Sequence, residues 1–157
     1  YSAEKQCRVL TIDIGGGTTK LAVAERGRVL DTAAFHVGGR LVASDPAGAI
    51  TVLETGGQTL ARHAGIEWRH GRRVTSAEIE QVANYMAQAI LSLVRDEAPS
   101  SDIAGLWLTE PIKEPKRYDA VIFSGGVGEY VYGKESRSFG DLGVALGRAL
   151  RTRISAG

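Results

Sequence analysis

The residues best suited to chemistry sit in one short stretch, Asp13-Ile14-Gly15-Gly16-Gly17-Thr18-Thr19, at the end of the apolar run Arg8–Ile14. One carboxylate, three glycines and two hydroxyls are crowded into seven positions. A turn that tight favours residues without Cβ, because some of its backbone angles are expected to be left-handed. It also leaves backbone N–H groups unpaired and facing outward, a nest for anionic oxygens such as those of phosphate. A carboxylate beside a phosphate site typically faces a hydrated magnesium ion, which assigns Asp13 to Mg²⁺ through water. The spacing excludes the commoner phosphate loops, since neither G-x-x-x-x-G-K-[ST] nor a helix-opening G-x-G-x-x-G is present. Leu21 and Val23 alternate beyond the turn, so the glycines close a hairpin and do not open a helix. A glycine-rich hairpin without ligand is the plain alternative, but two-residue turns suffice for ordinary hairpins.

A second candidate is Phe123-Ser124-Gly125-Gly126-Val127-Gly128, where an apolar strand delivers two glycines just ahead of a helix expected from about Val127. That corner lets a flat ligand lie on the backbone and aims a helix N-terminus at a nearby phosphate. Taken alone it equally fits a corner where glycine only permits close packing. Both bends lie at strand ends, and the two strands can share one sheet. That arrangement would put phosphate and nucleoside elements on the same edge.

Periodicity and punctuation define the strands and helices that carry these bends. Arg8–Ile14, Lys20–Glu25 and Arg28–His36 read as an antiparallel meander, turned at Arg26-Gly27 and broken by Gly38-Gly39. Leu41–Ser44 and Ala49–Leu53 are short strands around Asp45-Pro46-Ala47-Gly48. Gln58–Ala64 is a short helix ended by Gly65, and Trp68–Arg73 a polar, solvated loop. Thr75 and Glu78 form a capping box for a helix reaching Asp96, with Ile79, Val82, Ala83, Met86, Ile90, Leu93 and Val94 on one face. Glu97–Ser101 ends it. Leu106–Thr109 reads as a strand, Glu110–Lys116 as loop, Tyr118–Phe123 as a strand and Lys134–Phe139 as a charged loop. Asp141–Ile154 is a final amphipathic helix with Asp141 at its N-cap.

The 157 residues amount to about one domain, and 19 basic against 18 acidic residues leave a net charge of +1. That balance gives no support for a nucleic-acid or membrane-surface partner. No apolar run approaches a membrane span. The one cysteine, Cys7, has no partner for an internal disulfide, so reducing, cytosolic chemistry is the default. His36, His63 and His70 lack metal-ligand spacing. Lys20 directly follows the glycine turn and faces either a phosphate or solvent. A chain that opens at Tyr1 and runs almost at once into a core strand reads as a piece of a longer protein.

The two bends together resemble the actin, sugar kinase and heat-shock-70 ATPase superfamily. Asp13–Thr18 is similar to its second phosphate motif, D-x-G-G-G-T, and Phe123–Gly126 to its adenosine motif. Val37-Gly38-Gly39 resembles the segment just after the second motif in the chaperone branch. Within that superfamily the wording is most similar to the ethanolamine ammonia-lyase reactivating factor, the ethanolamine utilisation protein A family. The similarity lies in Asp13–Lys20, Asp31–Ala33, Val37–Leu41, Ile122–Val127, Glu129–Gly133 and Phe139–Gly143.

The resemblance implies an α/β, ribonuclease H-like second-lobe subdomain over residues 1–157: a three-stranded antiparallel meander extended by further strands and packed with helices. The superfamily's first phosphate motif is missing, so this piece would not clamp ATP alone. The implied cofactors are ATP or ADP with Mg²⁺. Asp13 would hold a magnesium-bound water and orient the attacking water. Gly15, Gly16 and Gly17 would donate N–H to β- and γ-phosphate oxygens, and Thr18 would bond the γ-phosphate with Thr19 beside it. Gly125, Gly126 and Val127 would lie under the adenosine and α-phosphate. Glu129 and Tyr130 are singled out by the resemblance with no role beyond helix start and packing. The implied function is ATP-driven exchange of damaged cobalamin on ethanolamine ammonia-lyase, in the cytoplasm or with a bacterial microcompartment. An actin-like assembly protein and a small-molecule kinase of the same superfamily remain open as alternatives.

Overall fold

The computed structural model describes residues 1–94 and 101–155. A one-turn helix α1 (Ser2–Lys5) leads into the meander of β1 (Arg8–Ile14), β2 (Thr19–Glu25) and β3 (Arg28–Phe35). Next come β4 (Val42–Ser44), β5 (Ile50–Leu53), α2 (Thr55–His63) and α3 (Ser76–Val94). A 3-10 turn at Ser101–Leu106 precedes β6 (Ala120–Ser124), α4 (Gly125–Val131) and α5 (Gly143–Ser155).

The main sheet is mixed, in the order β3-β2-β1-β6. The meander pairs antiparallel, with Asp13 opposite Lys20 and Ile14 opposite Thr19. Strand β6 joins parallel to β1, with Asp13 opposite Ser124. Parallel pairing is what makes a site: the carboxyl ends of two strands, each running into glycines, come out side by side. Of the strands expected to extend the meander, β6 does so, whereas β4 and β5 form a separate antiparallel pair.

Alternation along the strands selects the buried face. Leu10, Ile12, Ile14, Leu21, Val23, Ala33 and Phe35 are buried in one cluster with Val82, Met86 and Ile90 of α3 and Leu146 and Leu150 of α5. The capping box of α3 forms in both directions: Glu78 N–H donates to Thr75 Oγ1 at 3.2 Å and Thr75 N–H to Glu78 Oε2 at 3.0 Å. The expected end of that helix, at Asp96 and residues 97–100, lies outside the described residues.

Several expectations are corrected. Helix α2 begins at Thr55, ahead of the expected Gln58, so Gly56 and Gly57 lie in its first turn. Glycine is a poor helix former, but a Cβ at Gly57 would stand 2.6 Å from Val42 Cγ2, so close packing against β4 overrides propensity. Leu106–Thr109 is not a strand. It makes a single bridge between Trp107 and Phe35, and the N–H groups of Leu108 and Thr109 both donate to Ala34 O. Beyond it, Asp31 ties residues 113 and 114 to β3: Lys113 N–H donates to Asp31 Oδ2 at 2.7 Å and Glu114 N–H at 3.3 Å. Those bonds, Lys113 N–H foremost, hold the Asp31 carboxyl below its usual range. Trp68 is not part of a solvated loop: it is 1% exposed and among the largest fully buried side chains. The polar residues around it stay outside while the indole anchors the segment. Helices α4 and α5 begin at Gly125 and Gly143, each about two residues from the expected start. Asp141 thus lies two residues ahead of the first helical residue and not at the N-cap, yet it accepts Gly143 N–H at 2.9 Å.

Candidate functional site

Asp13 lies on the face of β1 opposite the buried Leu10-Ile12-Ile14 row, half-buried. Its neighbour across the parallel pair, Ser124, donates Oγ–H to Asp13 Oδ1 at 3.0 Å. Ser124 occupies the N-cap position of α4, but with its hydroxyl spent on Asp13 it makes no side-chain cap bond. Among the described residues Asp13 Oδ2 has no hydrogen-bond partner.

The glycine turn is held from one side. Gly15 N–H donates to Thr18 O at 2.9 Å, Gly39 N–H to Gly15 O at 2.9 Å and Arg40 N–H to Gly16 O at 2.6 Å. The segment 37–40 thus takes up the turn's carbonyls. Its close approach requires Gly38, where a Cβ would stand 2.6 Å from Gly16 C and 2.7 Å from Gly17 C. Among the described residues the N–H groups of Gly16, Gly17 and Thr18 face no acceptor, so the turn carries an open nest of donors.

The left-handed angles expected in this turn are absent: positive φ is found at other glycines but not at Gly15, Gly16 or Gly17. Nor does the chain's own packing demand glycine there. A Cβ at Gly15 or Gly16 would meet nothing closer than 3.5 Å, and one at Gly17 nothing within 4 Å. Gly126 is open in the same sense. Gly125 is the opposite case, with φ +77 and a Cβ position 2.7 Å from Asp13 Oδ1, pressed onto the end of β1.

A cavity of about 390 Å³ joins the two bends. Of the sequence-predicted residues it is lined by Gly15, Gly16, Gly126 and Val127. Gly17 and Thr18 belong to the same turn but lie outside the lining, as do Asp13 and Gly125. Thr19 is placed differently: it is fully buried and donates Oγ1–H to Val37 O at 2.8 Å. Its hydroxyl fastens the 37–40 segment and does not face the cavity.

The remaining lining includes residues that sequence reasoning missed or left without a role. Arg40 and Lys134 supply positive charge, Glu129, Glu135 and Asp141 negative charge, and Tyr130 and Phe139 flat aromatic surface. Tyr130 donates its hydroxyl to Arg137 O at 2.8 Å, and burial raises its phenol pKa, with Asp141 and Glu135 adding to the rise. The Arg137 guanidinium and N–H, with Ser136 N–H, hold the Glu135 carboxyl down to about 2. Arg40 had two signals in the sequence, its position directly after the Gly38-Gly39 break and its place in the resembling stretch Val37–Leu41, and neither gave it a role. No group of three or more His, Cys, Asp or Glu side chains suited to a metal ion is found among the described residues. A magnesium ion at Asp13 would therefore take most of its oxygens from water and phosphate, which fits the usual preference of that ion.

A family model described as ethanolamine utilisation protein EutA matches residues 1–156. The chain is 33% identical over 151 residues to the ethanolamine ammonia-lyase reactivase EutA of Salmonella typhimurium, covering 95% of this chain and 32% of that protein. It is 32% identical over 151 residues to the protein of the same name from Escherichia coli, with the same coverage of 95% and 32%. The chain thus spans about a third of the length of the curated relatives it matches. No solved structure matches. No helix among the described residues is long and apolar enough to cross a membrane.

Proposed function

We propose that this chain, which belongs to the ethanolamine utilisation protein EutA family, is the nucleotide-facing subdomain of an actin-like reactivating factor. In that role it would help exchange damaged cobalamin on adenosylcobalamin-dependent ethanolamine ammonia-lyase. One observation carries the nucleotide part of the reading. Gly15, Gly16, Gly17 and Gly126 are glycines that neither backbone angle nor the chain's own packing requires. Small residues that a fold does not need leave room for something outside it. The N–H groups of Gly16, Gly17 and Thr18, without an acceptor among the described residues, suit an anion. The cavity volume lies within the range of small-molecule and cofactor sites.

The residues fit a nucleoside triphosphate with Mg²⁺ and divide the work between them. A bound nucleotide supplies the phosphoanhydride whose hydrolysis would drive movement between lobes. Gly16, Gly17 and Thr18 N–H groups would bind the terminal phosphates, and the Thr18 hydroxyl would add a donor. Asp13, with Oδ1 fixed by Ser124 and Oδ2 uncommitted, would hold a magnesium-bound water and orient the attacking one. Phosphoryl transfer depends chiefly on positioning and charge stabilisation, so one oriented carboxylate carries great weight. Gly126 and Val127 would lie under the nucleoside. The buried Thr19 hydroxyl has no part in binding and instead braces the turn.

The decisive experiment uses the full-length parent protein. Added with ATP and Mg²⁺ to cobalamin-inactivated ethanolamine ammonia-lyase, it should restore activity, and the Asp13→Ala variant should not. No restoration by the unaltered protein would dismiss the reactivase reading. Full ATP turnover by Asp13→Ala would dismiss the assignment of Asp13.

A further inference from the structure

Arg40 stands at the mouth of the glycine turn. Its N–H is tied to Gly16 O, and its stem lies along Gly16, where a Cβ would be 3.5 Å from Arg40 Cβ and 3.7 Å from Arg40 Cδ. The guanidinium reaches across the cavity wall toward Asp141, with Nε 3.9 Å from Asp141 Oδ2. The two partners are unlike in their surroundings. The Arg40 side chain is 68% exposed, whereas that of Asp141 is 8% exposed and already accepts Gly143 N–H at the start of α5. A long ion pair with one solvated partner contributes little. Asp141 keeps its helix N-terminal N–H when the arginine leaves. The guanidinium is therefore held near the cavity without being committed to it, and among the described residues it is the only arginine in the lining. A planar fork of donors is the group best matched to phosphate oxygens.

We infer that Arg40 is a phosphate-reading residue of this cavity, leaving Asp141 to bind a β- or γ-phosphate oxygen of a nucleotide seated on the glycine turn. The inference rests on the nucleotide reading above and goes beyond it by naming the side chain that distinguishes phosphorylated from unphosphorylated nucleoside. In passing from Asp141 to phosphate the same side chain would connect occupancy of the glycine turn to the first turn of α5, since Asp141 accepts the N–H of Gly143, the first residue of that helix.

The test is calorimetric titration of the full-length protein and its Arg40→Ala and Arg40→Lys variants with MgATP, MgADP and adenosine. Loss of a charge-assisted bond to phosphate should weaken binding of the phosphorylated ligands by about tenfold or more in Arg40→Ala. Adenosine binding should be unchanged, and Arg40→Lys should recover part of the loss. Equal weakening for all three ligands would mean that Arg40 merely supports the turn, and unchanged affinities would mean that it does not meet phosphate. Either result overturns the inference while leaving the nucleotide reading intact. Failure of the unaltered protein to bind any of the three would overturn both.

Discussion

The hydroxyl of Ser124 donates to Oδ1 of Asp13 at 3.0 Å, across the parallel junction of β6 and β1. The bond joins the two glycine bends of this protein through side chains as well as through the sheet. It also fixes one carboxylate oxygen and leaves the other available. Ser124→Ala should therefore leave the fold nearly intact, at a cost of about 1 kcal/mol, while Asp13 loses its fixed orientation. On the proposed nucleotide reading, ATP hydrolysis by the full-length protein should then fall about tenfold, the equivalent of some 1.4 kcal/mol in the barrier, with nucleotide affinity little changed. Phosphate release and urea unfolding measured on the same preparation separate the two effects. A hydrolysis rate equal to that of the unaltered protein would show that the hydrogen bond has no positioning role.

The glycines divide into those the fold needs and those it does not, and two substitutions should reveal the division. Gly16→Ala meets only an ordinary contact at 3.5 Å and should leave stability within about 1 kcal/mol of the starting value. Its methyl would nevertheless intrude on the cavity, so nucleotide binding should weaken at least about tenfold. Gly38→Ala should behave in reverse: its Cβ would press on the backbone of Gly16 and Gly17. A loss of about 2 kcal/mol or more is expected, visible as a lowered denaturation midpoint. Equal stability losses in both variants would contradict the division.

The capping box of α3 should carry a pH signature. Arg72 Nη2 donates to Glu78 Oε1 at 2.7 Å, and this bond first, then Thr75 N–H, holds the Glu78 carboxyl below its ordinary value of 4.5. A carboxyl whose folded pKa is depressed stabilises fully above its unfolded pKa and loses that contribution as pH falls through the folded one. The difference in stability between the unaltered protein and Glu78→Gln should thus be steady above about pH 5 and should shrink as the pH drops below 4.5. Thr75→Ala removes the reciprocal bond and should cost about 1 kcal/mol with no comparable pH dependence. Urea melts at several pH values test both.

Trp68 should be the most sensitive residue of its loop. It is 1% exposed, and its indole Nε1 is buried with no hydrogen-bond partner among the described residues. Trp68→Ala should cost about 3–5 kcal/mol through the cavity it opens. Trp68→Phe should be much milder, because it keeps most of the apolar volume and removes an unsatisfied donor. Comparable losses for the two would indicate that the indole N–H is satisfied in solution.

Much of the architecture was legible because it depends on local rules. The meander, the capping box and the strand-to-helix corner at Ser124 are written in alternation, caps and glycine punctuation, each spanning a few residues. The strand expected at Leu106–Thr109 failed for the complementary reason: its composition suits a strand, but only one bridge to Phe35 is available to it. The early start of α2 likewise reflects close packing of Gly57 on Val42, a contact with no local trace.

The chain's own order of residues determined that two glycine bends exist, that each ends a strand, and that a carboxylate precedes the first. These features arise from steric limits acting between near neighbours. Tertiary structure alone decided that the bends face one cavity, because that depends on β6 lying parallel beside β1. It also decided which hydroxyl is spent and which is open, burying Thr19 under Val37 and leaving Thr18 at the nest. The pairing of Arg40 with Asp141, like the glycines' division into packed and open, arises from segments distant in sequence meeting in space. No periodicity encodes such meetings, since they depend on how whole elements stack and on the volume left between them.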